Sequence, residues 1–138
     1  MRWIMMAATA AMLMGCQARE VAVEDAWVRL NAVPGRPSAG YFVLKGGGAA
    51  ETLLGVGTTG FKRIELHESS ATGMRRLPSV AIPAGERIRF APAGLHLMLY
   101  EAEPSVRPGT TLPLQFTFAD GGSLTVEARV VGAADPAP

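Results

Sequence analysis

Hydrophobic and polar residues alternate with a period of two along much of this chain. In the segment Leu95–Leu99, which reads LHLML, leucine occupies every second position. Successive side chains of a β-strand point to opposite faces of the sheet, so the leucines would share one face and His96 and Met98 the other. On an α-helix those two residues would diverge by about 200°, given 3.6 residues per turn. The alternation therefore predicts a strand whose non-core face carries a histidine and a methionine.

The same pattern recurs in RIELHES, residues 63–69. Its isoleucine and leucine share one face, while Glu65 and His67 share the other. A short glycine-containing segment separates His67 from Met74, so these two residues would flank one hairpin. Four residues are thus expected on faces turned away from the core: His67, Met74, His96 and Met98.

Glycine and proline interrupt the chain at short intervals, and no segment between them has a convincing helical period. The Asp120-Gly121-Gly122 turn between LQFTF and LTVEARV is typical of a hairpin. Many short strands at this spacing are typical of a β-sandwich or barrel. The predicted strands are Val21–Leu30, Gly40–Lys45, Thr52–Gly57, Arg63–Glu68, Met74–Leu77, Arg87–Phe90, Leu95–Glu101, Thr111–Phe118 and Ser123–Val131.

The N-terminus has the features of a secretory signal. One arginine precedes an apolar stretch from Ile4 to Met14, which is shorter than the ~20 residues of a transmembrane helix. The following residues complete Leu13-Met14-Gly15-Cys16, which resembles a bacterial lipobox, in which the cysteine is lipidated and becomes the first mature residue. The alternatives are an ordinary signal peptide with an incidental cysteine and an uncleaved anchor.

On this basis the chain divides into four segments. Residues 1–15 would be a lipoprotein signal peptide, 16–20 the lipidated Cys16 and a short tether, 21–132 a single β domain, and 133–138 a flexible tail. Gln17, the residue after the lipidated cysteine, favours the outer membrane. We therefore expect a membrane-anchored protein outside the cytoplasm, in the periplasm.

Composition narrows the candidate chemistry. The chain has 13 basic and 12 acidic residues, and removal of Arg2 leaves 12 of each, so no basic surface suggests nucleic acid. Cys16 is the only cysteine, so the mature chain would have neither a free thiol nor a disulfide. Five of the seven methionines lie in the signal segment. The four residues on the predicted non-core faces are therefore every histidine and methionine of the mature chain.

This donor set suits Cu(I). Thioether sulfur is soft and favours Cu(I), and imidazole also binds copper. Zinc sites use cysteine, or histidine with carboxylate, and calcium sites use oxygen clusters. A blue-copper electron-transfer centre needs a cysteine thiolate, which the mature domain lacks. The same residues are also compatible with no metal at all, as solvated strand histidines and methionines that fill the core.

The chain resembles the periplasmic copper(I) chaperone family PCuAC. That family carries a histidine, a methionine, 21 further residues and then His-x-Met, and residues 75–95 give this same interval between Met74 and His96. The segments VEDAWVRL, GYFVL, ELHE and IPAGERIRFAPAGLHLML also resemble the family. One interval differs, since the family usually has ten residues between the first histidine and its methionine, whereas residues 68–73 number six. We interpret this as a shortened hairpin tip that keeps Met74.

The resemblance implies a cupredoxin-like Greek-key β-sandwich that binds Cu(I) through His67, Met74, His96 and Met98. It also implies a carrier, not an enzyme, which delivers copper by ligand exchange to cytochrome c oxidase, chiefly its CuA centre. The partner would be the copper-bearing oxidase subunit or another copper chaperone. Glu68, which follows His67 in the sequence, would either orient the ring of His67 or simply face water.

Two other functions stay open. One is a membrane-anchored β-sandwich that binds protein or glycan without a metal, which would require exposed aromatic side chains. The other is a copper-dependent redox enzyme, which would require an open coordination position and a substrate cleft. Arg75 and Arg76 would either guide docking onto an acidic partner or simply face solvent, and Trp27 is a candidate core residue without an assigned role.

Overall fold

The protein is described by a computed structural model that covers residues 20–138, so the predicted signal peptide and Cys16 lie outside the described residues. Ten strands make up this part of the chain, and no helix within it is long and apolar enough to cross a membrane. The strands are β1 (Ala22–Arg29), β2 (Ser38–Lys45), β3 (Glu51–Gly57), β4 (Phe61–Ser70), β5 (Gly73–Leu77), β6 (Val80–Ile82), β7 (Arg87–Phe90), β8 (Leu95–Ala102), β9 (Thr111–Phe118) and β10 (Ser123–Val131).

All ten strands belong to one hydrogen-bonded sheet that curls around a single core. Its order is β5-β4-β8-β7-β2-β1-β10-β9-β3-β6, with β8 also paired to β2. Phe42 on β2 and Phe116 on β9 show the curvature, because β1 and β10 separate their strands in the sheet. Their ring centroids are nevertheless only 4.8 Å apart, in an edge-to-face arrangement. The sheet therefore folds back on itself as a nearly closed barrel or sandwich.

The period of two in the sequence is reproduced in the burial of the strands. Along β9, buried and exposed residues alternate without exception, from exposed Thr111 to buried Phe118. On β8, Leu97 and Leu99 are fully buried in the core. The predicted all-β fold is confirmed.

One strand was not predicted from the sequence. β6 contains only Val80, Ala81 and Ile82, between Pro78 and Pro83. Three residues are too few to show alternation, and the strand forms because β3 offers it a pairing partner at the sheet edge. Strand β4 also begins two residues earlier than predicted, at Phe61.

A tight turn fixes the start of β8. The backbone N–H of Gly94 donates to the Ala91 carbonyl at 3.1 Å, and Ala93 has a φ of 67°. Proline at the second position and a positive φ at the third describe a type II turn. The turn ends two residues before His96, and β8 then pairs with β4 from Leu95 to Ala102.

Candidate metal centre

The two histidines lie directly opposite each other. Strands β4 and β8 are antiparallel neighbours, and His67 pairs with His96 in their register. The leucines beside them, Leu66 and Leu97, pair with each other and point into the core. Both imidazoles therefore project from the outer face of the sheet, and their ring centroids are 5.9 Å apart. The register joins two residues that are far apart in the sequence.

The two methionines flank this pair on the same outer face. Met98 lies opposite Glu65, two residues before His67, and Met74 on β5 lies opposite Ser69, two residues after it. Diagonal neighbours across paired strands are about 7–8 Å apart, a distance that a flexible methionine side chain spans in part. The predicted hairpin between His67 and Met74 is confirmed, with Ala71 and Thr72 in its turn.

The four side chains differ in exposure. His96 is 6% exposed and the His67 side chain 14%, although both lie on the face opposite the core leucines. Met98 is half-buried, whereas Met74 is 59% exposed. The two histidine side chains are therefore largely shielded from solvent. Met74, on the edge strand β5, is the most exposed of the four.

His67 has one satisfied ring nitrogen and one without a partner. Its Nε2 lies 2.9 Å from Oε2 of Glu65, while its Nδ1 is buried and has no hydrogen-bond partner in residues 20–138. A buried polar atom without a partner costs about 1–3 kcal/mol. A metal ion bound at Nδ1 would remove that cost, so this atom is a strong candidate ligand.

His96 uses the opposite nitrogen. Its Nδ1 donates to the carbonyl of Gly94 at 2.9 Å, and the backbone N–H of Ser69 donates to the same carbonyl at 3.1 Å. This shared acceptor connects the ring to both β4 and the turn before β8. Since no hydrogen bond in the described residues involves Nε2 of His96, that nitrogen is available to a metal.

Glu65 is held in place by several donors. Its side chain, 9% exposed, forms ion pairs with Arg63 and, at 3.9 Å, with Arg76, and it accepts a 3.3 Å hydrogen bond from Tyr100 Oη. The hydrogen bond from His67, aided by the two guanidinium groups, lowers the pKa of the Glu65 carboxyl. Burial and the neighbouring carboxylate raise the pKa of the Tyr100 hydroxyl. The carboxylate therefore remains ionised beside the imidazole.

The carboxylate beside His67 is Glu65, so Glu68 does not orient this ring, which was one of the two roles open for it. Glu68 follows His67 directly in the sequence, so its side chain points to the opposite face of β4. There it accepts two hydrogen bonds from Arg75, at 2.8 and 3.1 Å. Alternation already placed Glu65 on the face of His67, and that signal identifies the correct residue.

The donor set fits a soft metal better than a hard one. Among residues 20–138, no three His, Cys, Asp or Glu side chains are arranged to hold a metal ion. The other metal donors predicted beside the two histidines are the methionines, whose thioether sulfur favours Cu(I).

Trp27 lies on the outer face of the sheet, not in the core as the sequence suggested. It pairs with Tyr41, with ring centroids 4.7 Å apart, and the guanidinium of Arg29 lies 5.0 Å above its ring. Arg29 in turn donates to the carbonyls of Gly132, Ala133 and Asp135. The guanidinium of Arg29 is therefore held over the ring of Trp27 by backbone carbonyls of the C-terminal segment.

One protein family and one relative with similar sequences carry the description "putative lipoprotein". The family described as "LpqE-like: Putative lipoprotein LpqE-like" matches residues 21–130. A relative from Leifsonia xyli subsp. xyli (strain CTCB07), named "Putative lipoprotein Lxx21020", is 30% identical over 121 residues. That match covers 84% of this chain and 72% of the relative.

Solved structures with a similar fold are PCuAC domains and a copper-loaded protein. The "Copper-bound PCuAC domain from PmoF2" has a TM-score of 0.71 at 20% identity, over 84% of this chain and 96% of that domain. The "Solution structure of CuI-DR1885 from Deinococcus Radiodurans" has a TM-score of 0.71 at 27% identity, over 88% of this chain and 85% of that one. The resemblance to PCuAC is thereby confirmed. The chain belongs to the LpqE-like family and has the cupredoxin-like fold of PCuAC domains.

Proposed function

We propose that this protein is an extracytoplasmic Cu(I) carrier whose ligands are His67, Met74, His96 and Met98. The observation that supports this most strongly is the buried, unpartnered Nδ1 of His67 beside the ring of His96. Methionines on the same sheet face bracket this pair of rings. The PCuAC domain from PmoF2 and DR1885 from Deinococcus radiodurans are both copper-loaded in their solved structures, which agrees with the proposal.

The chemistry of the four ligands suits a carrier. All four are neutral when they bind, and neutral imidazole and thioether can hold Cu(I) outside the cytoplasm, where a pair of free thiols would risk oxidation to a disulfide. Met74 is the exposed ligand and lies on the edge strand, so it is the position at which an acceptor would first replace a ligand. Stepwise replacement from this side would transfer the ion without releasing it to solvent. This is transport of a cargo, and the protein would not be an enzyme.

The proposed recipient is cytochrome c oxidase, through its CuA-bearing subunit, or another copper chaperone. The support for this recipient is the sequence resemblance to the PCuAC family. We also propose that Cys16 carries the lipid, which the lipoprotein names of the family and of the Leifsonia relative support. The outer membrane suggested by Gln17 stays a prediction from that one residue.

A protein- or glycan-binding role is less well supported. It needs an open aromatic surface, but Arg29 lies over Trp27 and is held by carbonyls of the C-terminal segment. A sugar ring or a partner side chain would have to displace that guanidinium first.

Anaerobic titration of the purified mature domain with Cu(I) tests the proposal. We expect saturation at one ion per chain, and a double variant, His67→Ala with His96→Ala, should lose most of the affinity. Glu68→Gln is a matched control, since its carboxylate lies on the other face and pairs with Arg75. Unchanged Cu(I) binding by the double variant would contradict the proposed site.

A further inference from the structure

We propose that Glu65 is a positioning residue that fixes His67 in the tautomer protonated at Nε2, so that copper binds His67 through Nδ1 but His96 through Nε2. The inference rests on the proposed function for the metal. It adds a residue outside the ligand set and assigns the ligating nitrogen of each ring.

The tautomer of His67 is set by the acceptor beside its ring. An ionised carboxylate can only accept hydrogen bonds, so the ring nitrogen 2.9 Å from Oε2 of Glu65 must carry the proton. A neutral imidazole has one N–H, which leaves a lone pair on Nδ1. That is the atom that is buried without a partner. The nitrogen that keeps the lone pair is therefore the same nitrogen that lacks a hydrogen-bond partner.

The tautomer of His96 is also set by an acceptor, but the proton lies on the other ring nitrogen. The Gly94 carbonyl can only accept, so Nδ1 of His96, 2.9 Å away, carries the proton and Nε2 keeps the lone pair. Metal-binding histidines commonly donate their second ring N–H to a carboxylate or a backbone carbonyl. This protein would use one acceptor of each kind for its two rings.

The surroundings of Glu65 explain why its carboxylate stays on His67. Arg63 contacts Oε1, and Arg76 lies 3.9 Å from the same oxygen, so Oε1 is directed towards the guanidinium groups. Oε2 is left for His67 at 2.9 Å and for the Tyr100 hydroxyl at 3.3 Å. The donors on β4, β5 and β8 thus determine which oxygen faces the ring.

Nitrogen NMR of the copper-free protein tests the inference directly. The chain has two histidines, so a long-range proton–nitrogen correlation spectrum contains two ring systems. We expect His67 to show a protonated Nε2 and an unprotonated Nδ1, and His96 the reverse. A protonated Nδ1 on His67 in the wild-type protein would overturn the inference without the need for any variant.

Substitutions at Glu65 separate positioning from general stability. Glu65→Leu removes the acceptor and should give a mixture of both tautomers. The leucine variant should also bind Cu(I) about tenfold or more weakly, which is typical of losing such a partner. Glu68→Gln, the control, should change neither the tautomer of His67 nor the Cu(I) affinity. An unchanged His67 tautomer in folded Glu65→Leu protein would contradict the role of Glu65.

The two proposals fail in different ways. Wild-type protein with the expected tautomers but no Cu(I) binding would overturn the proposed function and leave the hydrogen-bonding role of Glu65 intact. Wild-type protein that binds Cu(I) but is protonated at Nδ1 of His67 would overturn only the positioning inference.

Discussion

His67 and His96 are direct cross-strand partners on β4 and β8, with ring centroids 5.9 Å apart on the outer face of the sheet. The core leucines beneath them, Leu66 and Leu97, are partners in the same register. A shift of either strand by one residue would turn its histidine inward and its leucines outward. Burial of the leucines therefore holds the proposed metal ligands together.

Replacing either methionine by leucine should weaken Cu(I) binding. Met74→Leu and Met98→Leu each keep the apolar volume but remove sulfur, so packing should change little. We expect affinity to fall at least tenfold in each variant, which corresponds to about 1.4 kcal/mol. Competition with a chromophoric Cu(I) chelator would measure this.

The Met74 variant tests the shortened hairpin. Met74 lies opposite Ser69 and is 59% exposed, so its side chain must swing towards His67 to reach the metal. If Met98→Leu weakens binding and Met74→Leu does not, copper is held by His67, His96 and Met98 alone.

Much of this site was predictable because it follows from local alternation. Leucines at every second position of β8 place His96 and Met98 together on the other face, whatever the rest of the fold. The same holds for Glu65 and His67 on β4. A short turn then places Met74 on the neighbouring strand.

The remaining features depend on register and on contacts distant in sequence. Glu68 does not orient His67 because adjacent strand residues face opposite ways. The donors around Glu65 come from three strands. The low exposure of His96 likewise cannot be predicted from the local sequence, because alternation predicts only that its ring points away from the core. The outward position of Trp27 depends on its neighbours Tyr41 and Arg29.

Copper affinity should fall in acid. Protons compete with the metal for the imidazole nitrogens, and free imidazole titrates near ~6.5, whereas thioether sulfur does not titrate. We expect the apparent Cu(I) affinity to decrease steadily as the pH falls from 7 to about 4. Chelator competition across this range measures it, and a flat profile would be incompatible with imidazole ligands.

Glu65 should make a pH-dependent contribution to folding. The hydrogen bond from His67 and the charges of Arg63 and Arg76 lower its pKa in the folded protein below the ordinary value of 4.5, although burial acts in the opposite direction. The stabilisation is therefore fully present above about pH 4.5 and is lost as the pH falls through the lowered value. Tyr100, the other group facing this carboxylate, stays protonated over that range.

Denaturant unfolding of the copper-free wild type and of Glu65→Gln checks the direction of this pH dependence. The wild type should be the more stable protein at pH 6, and the difference should shrink as the pH falls below 4.5. A difference that grows on acidification would show that the carboxylate is not stabilised by its neighbours.

The core beneath the site should be sensitive to loss of volume. Leu97 is fully buried between His96 and Met98 in the sequence, and its removal leaves a cavity below both ligands. Leu97→Ala should lower the free energy of unfolding by about 2–5 kcal/mol. Leu54→Ala, at a residue 49% exposed, is the control and should cost much less. Equal losses in the two variants would contradict the assigned core.

X-ray absorption spectroscopy of the protein loaded anaerobically with one equivalent of Cu(I) tests the central claim most directly. The account predicts a Cu(I) edge and a first coordination shell that contains both sulfur and nitrogen scatterers, with the outer-shell pattern of imidazole rings. The sulfur contribution should decrease in Met74→Leu and in Met98→Leu. A first shell without sulfur, or one without imidazole, would contradict a copper site built from these histidines and methionines.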